Sequence, residues 1–282
     1  MNQQHTRRAF LRETAAIASA AAALRAAEGL ADDAAPGALP KIRLGSLEVS
    51  RLILGSNPFF GFSHGNPQAT ADEMRAWYTP EQTAAVLDQA AEQGVTAVWA
   101  PCYERWVELW TAYRANGGKL AHWIAQPDRL PMERDIDIAA DHGASAVFIQ
   151  GVRADEQVQA GAWDVLRGWL ECIAGRGLPA GMATHQATTH LEAEKRGMPA
   201  DFYNQCLYRP GHYVPEGPAE TLAAVEKLTK PVVLFKVLAA GRVAPNEALP
   251  PVLRRLKPKD GVCIGVFPRK RDEIAENATF LR

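Results

Sequence analysis

Charge of one sign is what this 282-residue chain has least of: 31 basic and 32 acidic side chains leave a formal net charge of −1. Without a basic stripe to neutralise a phosphate backbone, a nucleic-acid partner is not expected. Long hydrophobic runs are missing too. Although 47% of the residues are hydrophobic, no run reaches the roughly 18 apolar residues that a membrane-spanning helix needs. Cysteine is scarce, and the four, at positions 102, 172, 206 and 263, do not make the disulfide framework of a small oxidised domain. Two of them fall on expected strands separated by a third, and a strand spacing of about 4.8 Å keeps such thiols roughly 10 Å apart. Free, mostly buried thiols are expected. A glycine-rich phosphate turn is also absent, and a doubly wound nucleotide-binding sheet usually opens with one.

What is present begins with a segment that stands apart. Thr6-Arg7-Arg8-Ala9-Phe10-Leu11-Arg12, followed by an alanine-rich run over 14–24, resembles a twin-arginine export signal. Small residues at 29–31 offer a cleavage site before Asp32. The expected organisation is a signal peptide over 1–31, a flexible leader over 32–40 (DDAAPGALP) and one barrel domain over 41–282. The twin-arginine export machinery is then an expected partner, and the mature protein is expected in the periplasm or outside the cell.

After the leader one pattern repeats: a short apolar run rich in β-formers, a polar loop, then a segment of helical period. Strands are expected over 51–57, 95–101, 120–127, 145–151, 179–185, 201–208, 232–239 and 261–267. Runs such as VVLFKVL are continuously apolar, as parallel strands buried on both faces should be. Helices are expected over 80–93, 132–141, 163–175, 218–229, 245–256 and 271–281. The first has Thr79 as N-cap, Pro80 in its first turn, Gln82 placed for a capping box and Gly94 as its stop. Eight βα units are the count of a (β/α)8 barrel, whose chemistry sits at the C-terminal ends of its strands. The long segment 58–80, with Phe59, Phe60, Phe62 and His64, is expected to fold over that mouth.

Residues 41–55, KIRLGSLEVSRLILG, resemble the entrance hairpin and first strand of the aldo/keto reductases. The resemblance runs on through Gln205-Cys-Leu-Tyr208, Phe235-Lys236-Val-Leu-Ala-Ala-Gly241-Arg242, Gly265 and Glu276-Asn277. It implies a barrel whose floor is plugged by the hairpin, an NADP cofactor and a Tyr, Lys, Asp and His catalytic group. That group is not here. By the family's spacing its Asp is Trp99, its Tyr falls at Glu104 with Tyr103 one residue away, its Lys is Gln126, and its His is Gly151 or Val152. Without the Asp–Lys pair a phenol keeps a pKa of about 10 and is a poor acid at neutral pH. For NADP the resemblance implies Gln205 at the nicotinamide amide, Phe235 under its ring, Lys236 and Arg269 near phosphate, and Glu276 with Asn277 at adenine.

Strand ends supply further candidates. His185 is a general base, with Tyr103 and Glu104 beside it as acid–base partners or, for Glu104 with Arg105, a surface ion pair. Trp99 and Trp106 offer aromatic faces for a sugar ring. Asn57, Trp99, Gln126, Tyr208 and His212 are expected against substrate. His185 and His190, five apart, do not have the helical spacing of a metal pair, and no metal is expected. Lys236 is alternatively a barrel-mouth lysine of the kind that forms Schiff bases. The expected ligand is a small molecule. Its handling is oxidoreductase-like on a small carbonyl or sugar-derived compound, or that of a sugar lyase, isomerase or hydrolase, or binding alone.

Overall fold

The computed structural model describes residues 38–208 and 218–282. The expected signal peptide, most of the leader, and His212 with its loop lie outside the described residues. Two short strands, β1 (Lys41–Leu44) and β2 (Leu47–Ser50), pair antiparallel with Lys41 opposite Ser50. Gly45 turns the chain between them at φ 62°, where a side chain would be strained. Ile42, Leu44 and Val49 are buried beneath the barrel, so the hairpin closes its floor. Burying each such side chain contributes about 1.5–3 kcal/mol.

Eight parallel strands follow: β3 (Leu52–Gly55), β4 (Ala97–Pro101), β5 (His122–Gln126), β6 (Ala146–Ile149), β7 (Ala180–Thr184), β8 (Phe202–Cys206), β9 (Val232–Phe235) and β10 (Gly261–Gly265). Each pairs with its sequence neighbours, and β10 closes on β3 with Gly265 opposite Gly55. That seam requires glycine, since a Cβ at Gly55 would sit 2.8 Å from the Gly265 nitrogen. The (β/α)8 barrel read from the sequence is the fold.

The helical layer consists of α1 (Ala71–Trp77), α2 (Pro80–Glu92), α3 (Glu104–Ala115), α4 (Met132–Asp141), α5 (Gly151–Gln159), α6 (Trp163–Gly175), α7 (Thr189–Lys195), α8 (Ala219–Lys227), α9 (Pro245–Leu253) and α10 (Glu273–Thr279). No helix among the described residues is long and apolar enough to cross a membrane. Thr79 caps α2 as expected, its hydroxyl accepting from the Gln82 amide at 3.2 Å. The reciprocal capping box, however, belongs to Thr70 and Glu73 at α1, inside the segment expected as a loop. The short helices α5 and α7 are also additions to the sequence reading.

Alternation along the strands builds two cores. Ile53, Ala97, Ile124, Ala146, Phe148, Ala183, Phe202, Val233 and Cys263 fill the barrel over the hairpin. Their neighbours Leu54, Val98, Val147, Tyr203 and Leu234 face the helices. Trp106, Trp110 and Trp123 stack in this outer layer, with Trp106 buried, so Trp106 is core and not a face for a sugar ring. Leu39 is buried as well, and the Pro40 carbonyl accepts from the Arg51 amide at 2.7 Å, so the barrel's packing starts before position 41. All four cysteines are free thiols, three of them buried.

Candidate active site

A cavity of about 530 Å3 opens at the C-terminal ends of the strands. Its floor is aromatic. Trp99 in the middle of β4 and Phe235 at the end of β9 both line it, their ring centroids 5.1 Å apart, and Trp99 meets Phe148 edge-on at 4.3 Å. The Trp99 indole donates to Gln126 Oε1 at 2.7 Å, which fixes both side chains. Two residues that stand at the family's Asp and Lys positions therefore form a neutral brace.

The His185 imidazole, expected as a general base, lies one residue beyond β7. Its Nδ1 lies 2.8 Å from Asp155 Oδ2, and its backbone amide donates to the same carboxylate at 3.1 Å. The Thr184 hydroxyl donates to Asp155 Oδ1. A carboxylate held by these donors accepts, so Nδ1 carries the hydrogen and Nε2 is left as the acceptor on an imidazole that lines the cavity. Among the described residues nothing is hydrogen-bonded to that Nε2. Asp155 lies within the second turn of α5, a polar helix on no strand end, and nothing in the sequence singled it out. Gly151, at the start of the same helix, is one of the two positions, with Val152, where the family's His would fall. A Cβ there would sit 2.9 Å from His185 Cε1, so the empty position makes room for the ring supplied by the next strand.

Across the cavity, Lys236 follows β9 with φ 58°, a left-handed backbone that a lysine rarely adopts. Its Nζ lies 5.9 Å from the Phe235 ring centroid, and the His185 ring lies 5.8 Å from the same ring. Burial pushes the Lys236 ammonium below its ordinary pKa, against a smaller opposing influence of Cys206. Above them the segment after β3 arches over the mouth as expected. Arg242 donates to the His64 carbonyl at 3.2 Å, and Gln68 donates to the Gly241 carbonyl at 3.1 Å. His64 Nε2 is 3.2 Å from Asn57 Nδ2. Desolvation, reinforced by Lys236, His185 and Arg242, pushes the His64 imidazole down to about 4, although part of the residue meets solvent.

The corner after β4 is less reactive than its residues suggest. The Tyr103 hydroxyl lines the cavity but donates to Asp128 Oδ2 at 2.6 Å. Burial, then this bond, raise its pKa above that of an ordinary phenol, while burial also raises that of the Asp128 carboxyl. Glu104 is exposed at the start of α3 and does not reach the cavity, because the helical turn points it outward. It also lacks the expected ion pair with Arg105, whose guanidinium donates to the Tyr78 carbonyl at 2.6 Å.

The residues that the family resemblance assigns to a nicotinamide cofactor separate into two groups. Phe235, Lys236, Glu276 and Asn277 line the cavity. Asn277 Oδ1 is buried without a hydrogen-bond partner, an acceptor suited to an adenine amino group, whereas Glu276 is paired with Arg271 at 3.2 Å. Gln205 does not line the cavity. Alternation puts Phe202 inside β8 and Tyr203 outside, so Gln205 faces the helix layer, where its amide donates to the Cys206 carbonyl at 3.1 Å. Arg269 is exposed away from the cavity, and Tyr208 is buried outside it. Of the two residues assigned to the nicotinamide, Phe235 therefore lines the cavity and Gln205 does not.

No known family model matches the sequence, and no curated protein matches it. Solved structures match the whole barrel at low identity. A provisionally assigned aldo-keto reductase from Pseudomonas aeruginosa is 15% identical with a TM-score of 0.60, over 86% of this chain and 94% of that one. N-acetylneuraminic acid synthetase from Leptospira borgpetersenii is 13% identical with a TM-score of 0.54, over 86% and 87% of the two chains. A truncated 3-deoxy-D-arabino-heptulosonate 7-phosphate synthase from Thermotoga maritima is 11% identical with a TM-score of 0.53, over 86% and 90%. What this chain shares with all three is the barrel fold.

Proposed function

We propose that this chain is an enzyme that moves a proton on a small carbonyl or sugar-derived compound, an isomerase or lyase with His185 as its acid–base residue. The observation that carries the reading is the 2.8 Å contact between His185 Nδ1 and Asp155, on a ring that lines the cavity and whose Nε2 has no hydrogen-bond partner among the described residues. Asp155 fixes the ring's tautomer and orientation, as a carboxylate behind a catalytic imidazole does. Trp99 and Phe235 supply an apolar floor for the carbon skeleton, and Asn57, Gln126 and Gln150 border the cavity with groups that can bond hydroxyls. Tyr103, committed to Asp128, is not the proton donor.

The test is isotope exchange. Full-length protein is incubated in D2O with a panel of hydroxyketones, 2-keto acids and reducing sugars, and loss of the C–H signal beside the carbonyl is followed by proton NMR. Exchange with at least one member, abolished in His185→Gln, is expected. Exchange that survives His185→Gln unchanged would sink the assignment.

A second reading, hydride transfer with NADP, rests on the unpartnered Asn277 Oδ1 in the cavity. Glu276 and Asn277 would hold the adenine, while Gln205 does not line the cavity and so would not hold the nicotinamide amide. A thermal shift on adding NADP that is lost in Asn277→Leu supports this reading. The paired arginines at 7 and 8 support export of the folded chain, and a compartment without a free NADP pool favours the cofactor-independent reaction. N-terminal sequencing of protein recovered from the periplasm tests the cleavage expected before Asp32.

A further inference from the structure

The cations lining the cavity are not equivalent. Arg271 lies 3.6 Å from Glu273 and 3.2 Å from Glu276, while His185 is held by Asp155. Lys236 has no hydrogen bond to its Nζ and no Asp or Glu partner among the described residues, and its Nζ lies over the Phe235 ring at 5.9 Å from the centroid. An anion site would gather several donors around one point. Arg242, the nearest guanidinium on the same connection, is instead spent on the carbonyls of His64 and Ala239. A lone amine, half-sheltered on an aromatic floor opposite an oriented imidazole, suits a different task.

We propose that Lys236 acts covalently: its Nζ condenses with the carbonyl carbon of a short aldehyde or ketone substrate, and His185 then moves a proton on the neighbouring carbon. This rests on the proton-transfer reading above and names its substrate class. The free amine attacks the carbonyl carbon, the carbonyl oxygen leaves as water, and the resulting imine takes up one proton from solvent. The iminium draws electrons from the adjacent C–H bond, whose proton passes to His185 Nε2, leaving an enamine. Return of a proton to the opposite face of the same carbon restores the iminium of an epimer; departure of a neighbouring hydroxyl, protonated by the same imidazolium, gives water and the iminium of an unsaturated product. Hydrolysis of the imine restores the lysine, and no external oxidant or reductant enters.

Several features of the chain serve this sequence. Burial lowers the ammonium's pKa, which raises the fraction of nucleophilic amine at neutral pH. The left-handed backbone at φ 58° lies beside the reacting group, where such conformations are often kept for a functional reason. Phe235 is the shared platform, with the imidazole 5.8 Å and the amine 5.9 Å from its centroid, so a substrate of a few carbons on that ring meets both.

The experiment is reductive trapping. Full-length protein is mixed separately with glycolaldehyde, dihydroxyacetone and pyruvate, reduced with sodium borohydride, and read by intact mass and peptide mapping. At least one probe is expected to give one adduct per chain, on the Lys236 peptide at roughly tenfold or more the level on any other lysine. Because the wild-type map identifies the labelled lysine, the result does not depend on a variant folding. Lys236→Arg, checked for folding by circular dichroism, is expected to carry no such adduct. No adduct with any probe, or label spread evenly over surface lysines, overturns the proposal. Deuterium exchange that continues at the wild-type rate in Lys236→Arg also overturns it while leaving His185 in place. An adduct on Lys236 without exchange supports the imine and instead removes the proton-transfer reading.

Discussion

His185 and Asp155 stand 30 residues apart in sequence and 2.8 Å apart in space. Their meeting is a product of parallel neighbours: β6 ends and α5 begins at Gly151, while β7, paired to β6 with Ile149 opposite Met182, ends at Thr184. Asp155 then lies over the end of the next strand, and its carboxylate takes the Thr184 hydroxyl and the His185 amide together with the ring.

Asp155→Asn keeps the shape of this arrangement and changes its hydrogen-bonding sense. An amide has one accepting oxygen in place of two, so the Thr184 hydroxyl, the His185 amide and Nδ1–H can no longer all donate to it, and the hold on the ring's tautomer weakens. Isotope exchange is expected to slow by about a hundredfold or more. Nitrogen-15 NMR of labelled histidine separates orientation from folding: the tautomer balance of His185 should shift while other histidine signals stay in place. An unchanged tautomer with unchanged exchange would show that the contact does not orient the base.

Trp99→Ala is expected to be costly because the indole seals the barrel interior between Phe148 and Phe235. Removing a packed tryptophan destabilises by about 3 kcal/mol or more when it is fully buried, and this partly exposed one belongs at the low end. Trp99→Phe keeps the ring contacts but leaves Gln126 Oε1 without its donor, which costs about 1 kcal/mol. Urea unfolding of the two variants checks the order. Equal losses would mean that the hydrogen bond, not the packing, holds the floor.

His190 predicts a pH dependence of stability. It is wholly buried, stacked on Tyr203 at 4.3 Å, and within 3.2 Å of the Asn204 carbonyl through Nε2, while Nδ1 has no partner. Burial pushes its pKa down to about 4, against smaller upward influences of Asn204 and Asp155. In the unfolded chain an imidazole titrates near 6.5. Between those values the unfolded state binds the extra proton, so this stability is present above about 6.5 and is lost as pH falls toward 4. One such group removes about 1 kcal/mol between pH 6 and pH 5. His190→Gln should start less stable at neutral pH but lose correspondingly less over that step in urea melts. Parallel losses in the two proteins would contradict it.

The fold was legible because parallel strands buried on both faces, such as 232–235 and 146–149, read as unbroken apolar runs of the right length. Helices α4 and α6 were legible down to their terminal residues because amphipathic periods meet Pro or Gly at their ends. The candidate site was half legible. His185, Lys236 and Gln126 were reached by the rule that strand ends face the mouth, and Trp99 by the spacing of the family resemblance. That rule does not say which way a tip residue points. Gln205 was missed in orientation because two-residue alternation turns it outward, and Glu104 because the first turn of α3 points it to solvent. Asp155 was invisible for another reason. It sits in GVRADEQVQ, a short polar helix with little periodic signal, and its importance comes only from the strand beside it. The Thr70-Ala-Asp-Glu73 box that starts α1 is a capping signal present in the sequence itself.

Gly151→Ala offers the narrowest test of the site, since it adds one methyl and removes no polar group. The residue opens α5 and does not need a left-handed backbone, so alanine suits the helix there and would by itself be neutral or slightly stabilising. The added Cβ would lie 2.9 Å from His185 Cε1 and 3.2 Å from Nδ1, inside van der Waals contact. The imidazole must then move off Asp155 or tilt away from the cavity. Isotope exchange is expected to fall by at least about tenfold, because displacing a reacting group by a fraction of an ångström is enough to lose that much. The melting temperature should stay within about 2–4 °C of wild type. A variant that exchanges at the wild-type rate would mean that the ring has room to spare, and that the missing side chain at 151 is not what admits His185.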